Sequence, residues 1–457
     1  MFRSQRTTRR RRLALLPVTG VLFATAACSG LTPGGGSSDG DVSVSGKTLT
    51  AAEVSKLPKT TLTMLDYESD PGLGTAIATG IKMFEAKFPN ITVKESRKSF
   101  ADYGKTISLT MSSSTPPDIA ESNATAVQTL AKAKLIRPLD TYYKGYSWDK
   151  QYPSSVLDSL RISSDGKTFG TGNYWGQTPG GNMVGIYYNR LKLKDLGLSV
   201  PTTFAELENA LAKAKAAGEV PMELGNLEQW PANHNLSSLM NNYDDPKAVN
   251  NWINGVTGST FNTPGTIEAI AKLKRWWDEG YLPTNANGTK DADAATAFAD
   301  GKSGVFYLSG TWHMTQINSS LGKNAGFFSM PPMKAGGQSY ATGSIAAAFT
   351  ISAKSKNADL AAYFLDFLST PDMAHTNLIN GYLPFTGDAE GEGTVTNEVL
   401  ASWRDKVKND GLVGYLDSAT PSLGNTLFPG IQAVFGGKET ADDLARAVQA
   451  DWTKTHG

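Results

Sequence analysis

The sequence predicts an α/β protein with mostly parallel sheets. Strand-like and helix-like patterns alternate over about 400 residues, the arrangement that builds such sheets. The chain has 457 residues, too many for one ordinary core, so two domains are expected. Its composition is globular, 40% apolar and 19% charged.

The elements follow in chain order. Thr61–Tyr67 alternates Leu62 and Met64 with threonines, as a strand does. Ile77, Ile81, Phe84 and Phe88 then share one helical face. Pro89-Asn90 ends that helix, and Ile91-Thr92-Val93 resumes a strand. Thr203 and Glu206 have capping-box spacing before Phe204, Leu207 and Leu211. Ile270, Leu273 and Trp277 mark another buried stripe, as do Leu360, Phe364 and Phe367. Strand-like runs return at Gly304–Leu308 and Ile345–Ile351. There is no internal repeat.

The N-terminus reads as an export signal over residues 1–27. Six arginines and no acid precede the apolar run Leu13–Ala27, which ends in small residues. Thr25-Ala26-Ala27-Cys28 resembles a bacterial lipobox, with Thr25 where leucine is usual. The resemblance implies a lipid anchor on Cys28, which would hold the protein at the membrane surface. Ser29–Gly46 is rich in glycine and serine and reads as a flexible tether within a linker over 28–58. The precursor carries 43 basic and 43 acidic residues. Cleavage before Cys28 removes the six arginines and leaves a net charge of −6. That balance argues against nucleic acid as a partner. It also disfavours an anionic ligand. One cysteine excludes an internal disulfide and a thiolate zinc cluster.

No active-site motif emerges. The histidines His234, His313, His375 and His456 lack metal-ligand spacing. Gly166-Lys167-Thr168 and Gly301-Lys302-Ser303 resemble P-loop tails, but Arg161 and Thr296 stand where the first glycine belongs. Gly36-Ser37-Ser38-Asp39-Gly40 has the letters of a nucleophile elbow without a flanking strand and helix. Asp291-Ala292-Asp293 suits a helix N-terminus better than calcium. No cofactor or metal is expected. A glycosidase carboxyl pair stays open, because acids are plentiful and nothing singles out two of them.

Seven segments in order carry a family resemblance. They are Phe84–Val93, Thr115–Ser122, Ile186–Asn189, Val200–Leu207, Ala297–Trp312, Ala361–Ala374 and Gly381–Pro384. Together they resemble the extracellular solute-binding proteins of bacterial ABC transporters, in the sugar-binding family that includes maltose-binding protein. The resemblance implies a periplasmic-binding-protein-like fold: two discontinuous α/β lobes joined by crossing strands, with a hinged ligand cleft. It places crossings near Gly180–Asn182, Gly343–Ser344 and Thr370–Leu383. Lobe 1 would hold 59–181 and 344–375, and lobe 2 would hold 182–343 and 376–457. It further implies a monomeric, non-enzymatic binder that closes on a neutral mono-, di- or oligosaccharide and delivers it to permease subunits. A secreted glycoside hydrolase, or the same fold with a non-sugar solute, is the alternative.

A sugar needs hydrogen-bond partners for its hydroxyls and aromatic faces for its C–H surfaces. Strand ends are where open α/β sheets place ligands. Trp312 follows a strand across Ser309-Gly310, and the resemblance implies that it stacks on a sugar. Trp230 sits in a polar loop and resembles a second-lobe platform. Trp175 lies just before the first crossing. Trp252, Trp277 and Trp452 read as structural. Tyr67, Glu68 and Asp70 follow the first strand. Glu121 and Asn123 end another, where alternation lets only one face the cleft. The resemblance adds Asn182, Gly343 and Ser344 at the crossings and Asn425 near the C-terminus.

Overall fold

The computed structural model describes residues 46–68, 71–385 and 389–457. The signal, Cys28 and most of the tether therefore lie outside the described residues. So does Asp70.

The first sheet contains β1 (Thr60–Asp66), β2 (Ile91–Arg97) and β3 (Ile119–Ser122). The second is built on β4 (Gly181–Asn189), β5 (Met222–Glu223), β6 (Phe306–Gly310), β7 (Ala325–Phe328) and β8 (Ala341–Ile345). β9 (Ala348–Ile351) returns to the first sheet, and β10 (Leu412–Val413) joins the second.

Lobe 1 has the strand order β9-β3-β1-β2. β1 runs parallel to β2 and β3, and β9 is antiparallel to β3. The expected stripe forms the helix Leu73–Lys87, which buries Ile77, Ile81 and Phe84. It stops at Phe88, just before Pro89, because the residue preceding a proline is pushed out of helical geometry. Phe84 meets Phe364 at 5.0 Å and Phe367 at 5.2 Å between ring centroids. Those rings belong to the returning helix Ala358–Leu368, so a distant segment completes this core.

Lobe 2 has the order β10-β8-β4-β6-β5, with β7 also paired to β4. All nine residues of β4 are buried, since helices cover both faces of the sheet. β4 is antiparallel to β6, β7 and β8. The expectation of mostly parallel sheets thus fails here. The long strand β4 enters the lobe, and the chain runs back beside it in the opposite sense. The Thr203–Glu206 capping box forms as its spacing requires. The helix Pro264–Asp278 buries Trp276 fully, while Trp277 stacks on Phe435 at 4.5 Å. The core position is therefore one residue earlier than the sequence stripe suggested.

The apolar run Ile345–Ile351 is two strands, not one. β8 ends at Ile345 in the second sheet, and β9 begins at Ala348 in the first. Gln177 bridges Phe349, and Gly181 bridges Leu383. Three chain segments thus pass side by side between the sheets.

Residues 46–58 also differ from a flexible linker. Thr50 and Glu53 form a capping box on the short helix Ala51–Val54. The Lys47 amide donates to Asp359 Oδ1 at 3.0 Å, and the Leu49 amide to the Tyr146 hydroxyl at 2.8 Å. Val54 is fully buried, which no free tether would achieve.

Asp359 also accepts from the Tyr142 hydroxyl at 2.6 Å, so it clasps this segment to lobe 1. Asp359→Ala should lower stability by about 1–2 kcal/mol. Hydrogen exchange should quicken at Lys47–Val54 and stay unchanged in lobe 2. Unaltered protection of that segment would show that it docks without the clasp.

Candidate ligand-binding cleft

The carboxyl ends of β1, β2, β3 and β6 converge with the crossing strands on one cavity of about 880 Å³. Tyr67 and Glu68 follow β1, while Lys98, Ser99 and Phe100 follow β2. Asn123 follows β3, and Trp312 follows β6. Asn182, Gly343 and Ser344 come from the crossing strands, and Trp230 from the start of the helix Pro231–Tyr243. Of the residues singled out in the sequence, Trp312, Trp230, Tyr67, Glu68, Asn123, Asn182, Gly343 and Ser344 line this cavity.

Aromatic rings form a band across it. Tyr67 meets Phe100 at 5.2 Å, and Phe100 meets Trp230 at 6.3 Å, from one lobe to the other. Trp230 meets Trp312 at 6.0 Å. His234 sits 5.4 Å from each of those tryptophans and 5.7 Å from Tyr415. The Trp312 ring folds back over Gly310, where a Cβ would overlap it. Such an array offers apolar faces to a flat ligand.

Polar groups interleave with the rings. The Tyr415 hydroxyl donates to Asn182 Oδ1 at 2.6 Å, leaving the Asn182 amide hydrogens available. Asn233 Nδ2 lies 3.4 Å from Asp417 Oδ1. Asn233 Oδ1 and His234 Nδ1 are buried and have no partner among the described residues. Burial holds His234 down to about 4, so its ring is neutral at neutral pH. Burial pushes the Asp417 carboxyl up to about 6. Asp291 accepts from the Tyr307 hydroxyl at 2.9 Å and lies 2.9 Å from His313 Nε2. It starts the helix Asp291–Ala299, as expected of an acid at a helix N-terminus.

Three expectations need correction. Trp175 is 5% exposed, and its Nε1 donates to the Ile162 carbonyl at 3.1 Å within the lobe 1 core. The short pairing of Arg161–Ile162 with Asn173–Tyr174 turns it inward, which its polar neighbours concealed. Asn425 lies exposed on the helix Leu423–Phe435 and does not line the cavity. Glu121 is fully buried behind the wall, where its Oε2 accepts from the Tyr67 amide at 2.8 Å. Burial, and then the Glu68 carboxyl beside it, push Glu121 well above the usual carboxylate range. Asn123 lines the cavity, but its Oδ1 caps the helix Ala124–Lys132 through the Ala126 amide at 2.9 Å.

Phe100, Asn233, His234, Tyr415 and Asp417 line the cavity without having been singled out. Asn233 and His234 stand three and four residues after Trp230, one helical turn along, so that spacing could have found them. No local pattern marks Asp417 or Phe100. Among the described residues, no group of three or more His, Cys, Asp or Glu could hold a metal ion. No described helix is long and apolar enough to cross a membrane.

Known proteins resemble most of this chain. It is 32% identical over 195 residues to the multiple sugar-binding protein of Streptococcus mutans, covering 41% of this chain. That match spans only 46% of the streptococcal protein. It is 24% identical over 396 residues to the alpha-glucosides-binding periplasmic protein AglE of Rhizobium meliloti, covering 78% of this chain and 79% of that protein. A solved chitin oligosaccharide binding protein superposes with a TM-score of 0.74 at 21% identity, covering 87% of this chain and 99% of its own. RafE in complex with raffinose superposes with a TM-score of 0.65 at 21% identity, covering 87% and 100%. These structures share the two-lobed fold. The model of the bacterial extracellular solute-binding protein family matches residues 68–375, more than half of the chain, and the chain belongs to that family.

Proposed function

We propose that the chain captures a di- or oligosaccharide by closure of its two lobes and delivers it to the permease of an ABC importer. One observation carries this reading. Trp230 and Trp312, 6.0 Å apart, share a cavity with the amide and carboxyl groups of Asn182, Asn233 and Asp417. Rings for C–H faces and hydrogen-bond groups for hydroxyls are what a sugar requires. A volume of about 880 Å³ suits several sugar units. The names of the similar sugar- and glucoside-binding proteins point the same way.

Closure follows from the arrangement. A ligand that touches Tyr67 and Phe100 on one lobe and Trp230 and Trp312 on the other makes all of its contacts only when the lobes meet. It therefore stabilises the closed form. The permease would read that closed shape. Cys28, lipidated and left as the first residue by signal cleavage, would keep the binder near its transporter.

Hydrolysis of a glycosidic bond needs two carboxyls on opposite sides of it. Glu121 lies behind the wall, but Glu68 and Asp417 line opposite sides of the cavity, so incubation with substrate is what separates binding from cleavage. Overnight incubation with oligosaccharides should release no monosaccharide; release would favour a hydrolase.

Trp312→Ala should weaken sugar binding at least about tenfold while the fold survives, because one stacked ring contributes on the order of a kcal/mol or more. Calorimetry with unchanged affinity would contradict the assignment. A thermal-shift screen of the mature protein should show a raised melting temperature with its sugars alone, since they bind only the folded form. No shift with any mono-, di- or trisaccharide would remove the reading's support. Cys28→Ser should move the protein from the membrane fraction to the medium. Continued membrane retention would place the anchor elsewhere.

A further inference from the structure

The lobe 2 wall of the cleft has an unusual hydrogen-bond balance. Asn233 is 1% exposed, and its Oδ1 faces no donor among the described residues. Its Nδ2 is turned toward Asp417 Oδ1. No Lys, Arg or His pairs with Asp417 among the described residues. Among the described residues, the Lys and Arg side chains that line the cavity are engaged elsewhere. Arg97 is bonded to Asp66 at 2.7 Å and to Glu95. Lys98 Nζ donates to the Thr106 hydroxyl at 2.9 Å. Two neighbouring acceptors thus meet the ligand with no cation committed to them. Asn233 Oδ1 is a buried acceptor without a donor among the described residues, which is costly, and the half-buried Asp417 carboxyl beside it has acceptor capacity beyond the Asn233 amide, so a ligand that supplies donors there is favoured.

We propose that Asp417, oriented by Asn233, determines which sugars the cleft accepts. It takes a group that offers paired donors, either adjacent neutral hydroxyls or a protonated amine. It rejects a sugar bearing a carboxylate or phosphate at that place, which would bring charge against charge and leave both acceptors unmet. This inference rests on the sugar-binding reading above and deepens it.

A pH dependence follows. The ionised carboxyl of Asp417 is the form that accepts two donors. Its value of about 6 makes affinity fall as pH drops through that range. His234 on the neighbouring helix is held down to about 4 and stays neutral there. Tyr415 and Tyr67, both pushed up by burial, stay uncharged. Glu68 across the cleft is also pushed up by burial. Asp158 and Asp291 line the cavity as well. Lys247 on the helix Pro246–Ile253 and Lys132 on the helix Ala124–Lys132 point to solvent. The difference between the wild-type and Asp417→Asn profiles reports the Asp417 carboxyl against this background.

The test is calorimetry on the whole mature protein. The probes are maltotriose and raffinose, the glucosamine trimer, and trigalacturonate, from about pH 7.5 to about pH 5. A neutral trimer or the glucosamine trimer should bind, and whichever is tighter tells hydroxyl from amine as the donor. Trigalacturonate should bind at least about tenfold more weakly, the equivalent of about 1.4 kcal/mol. Asp417→Asn, nearly isosteric, should weaken the best ligand about tenfold at the upper pH and flatten the acid loss of affinity. Its ligand-free melting temperature and near-ultraviolet circular dichroism report the fold. Should that variant misfold, Asn233→Ala removes the orienting amide together with the second acceptor, Oδ1, and should weaken the best ligand about tenfold while the acid loss of affinity persists. Trigalacturonate binding as tightly as the neutral trimers would overturn the inference. So would an Asp417→Asn variant with wild-type affinity and pH profile. Either result leaves the sugar reading intact. If no probe binds wild type, the sugar reading falls, and this inference falls with it.

Discussion

The tight passage of three chain segments between the sheets is the constraint on which the rest depends. β4 and β8 pair there through Met183 with Gly343, Asn182 with Ser344, and Gly181 with Ile345. A Cβ on Gly181 would strike the Trp403 ring and come within 2.8 Å of the Ser344 carbonyl. One on Gly343 would come within 2.8 Å of the Asn182 carbonyl. Side chains are therefore barred where the strands approach most closely. A narrow backbone ladder can bend while the cores on either side stay packed, the usual structural basis of hinge motion. Asn182, Gly343 and Ser344 belong to this ladder and also line the cavity. In the proposed mechanism, hinge and ligand wall are the same residues, so a ligand bound there biases the lobe angle directly.

The cleft combines surplus apolar ring area with unmet polar groups. Asn233 Oδ1 and His234 Nδ1 are buried without partners among the described residues, and each such atom costs about 1–3 kcal/mol. A hydroxyl-rich ligand offsets that cost, whereas a purely apolar one does not. The neutral His234 ring and the partly protonated Asp417 reflect the same dehydration. Low solvation thus both perturbs the titrating groups and makes their hydrogen bonds selective.

Much of this was legible in the sequence, for identifiable reasons. Helix stripes such as Ile77-Ile81-Phe84 are local patterns, and one face of a helix must be buried. Trp312 was legible because a strand, a small-residue turn and a large ring follow in order. The run Ile345–Ile351 was misread because apolar spacing does not reveal that a strand changes sheets halfway. Trp175 was misread because its polar neighbours fold over it as a small hairpin. Asp417 and Phe100 reach the cavity through topology alone, from elements more than 300 residues apart in the chain, and no local pattern encodes that meeting.

Lobe closure on a sugar is best tested by measuring the distance between the lobes. Spin labels at Leu109 and Leu227, 76% and 47% exposed, report from helix Phe100–Ser112 of lobe 1 and from lobe 2. Leu109→Cys and Leu227→Cys in a Cys28→Ser background leave the two labels as the sole thiols. Pulsed electron resonance should show a broad distribution without sugar and one short, narrow distance with it. Identical distributions in both states, with calorimetry showing the sugar bound, would contradict capture by closure.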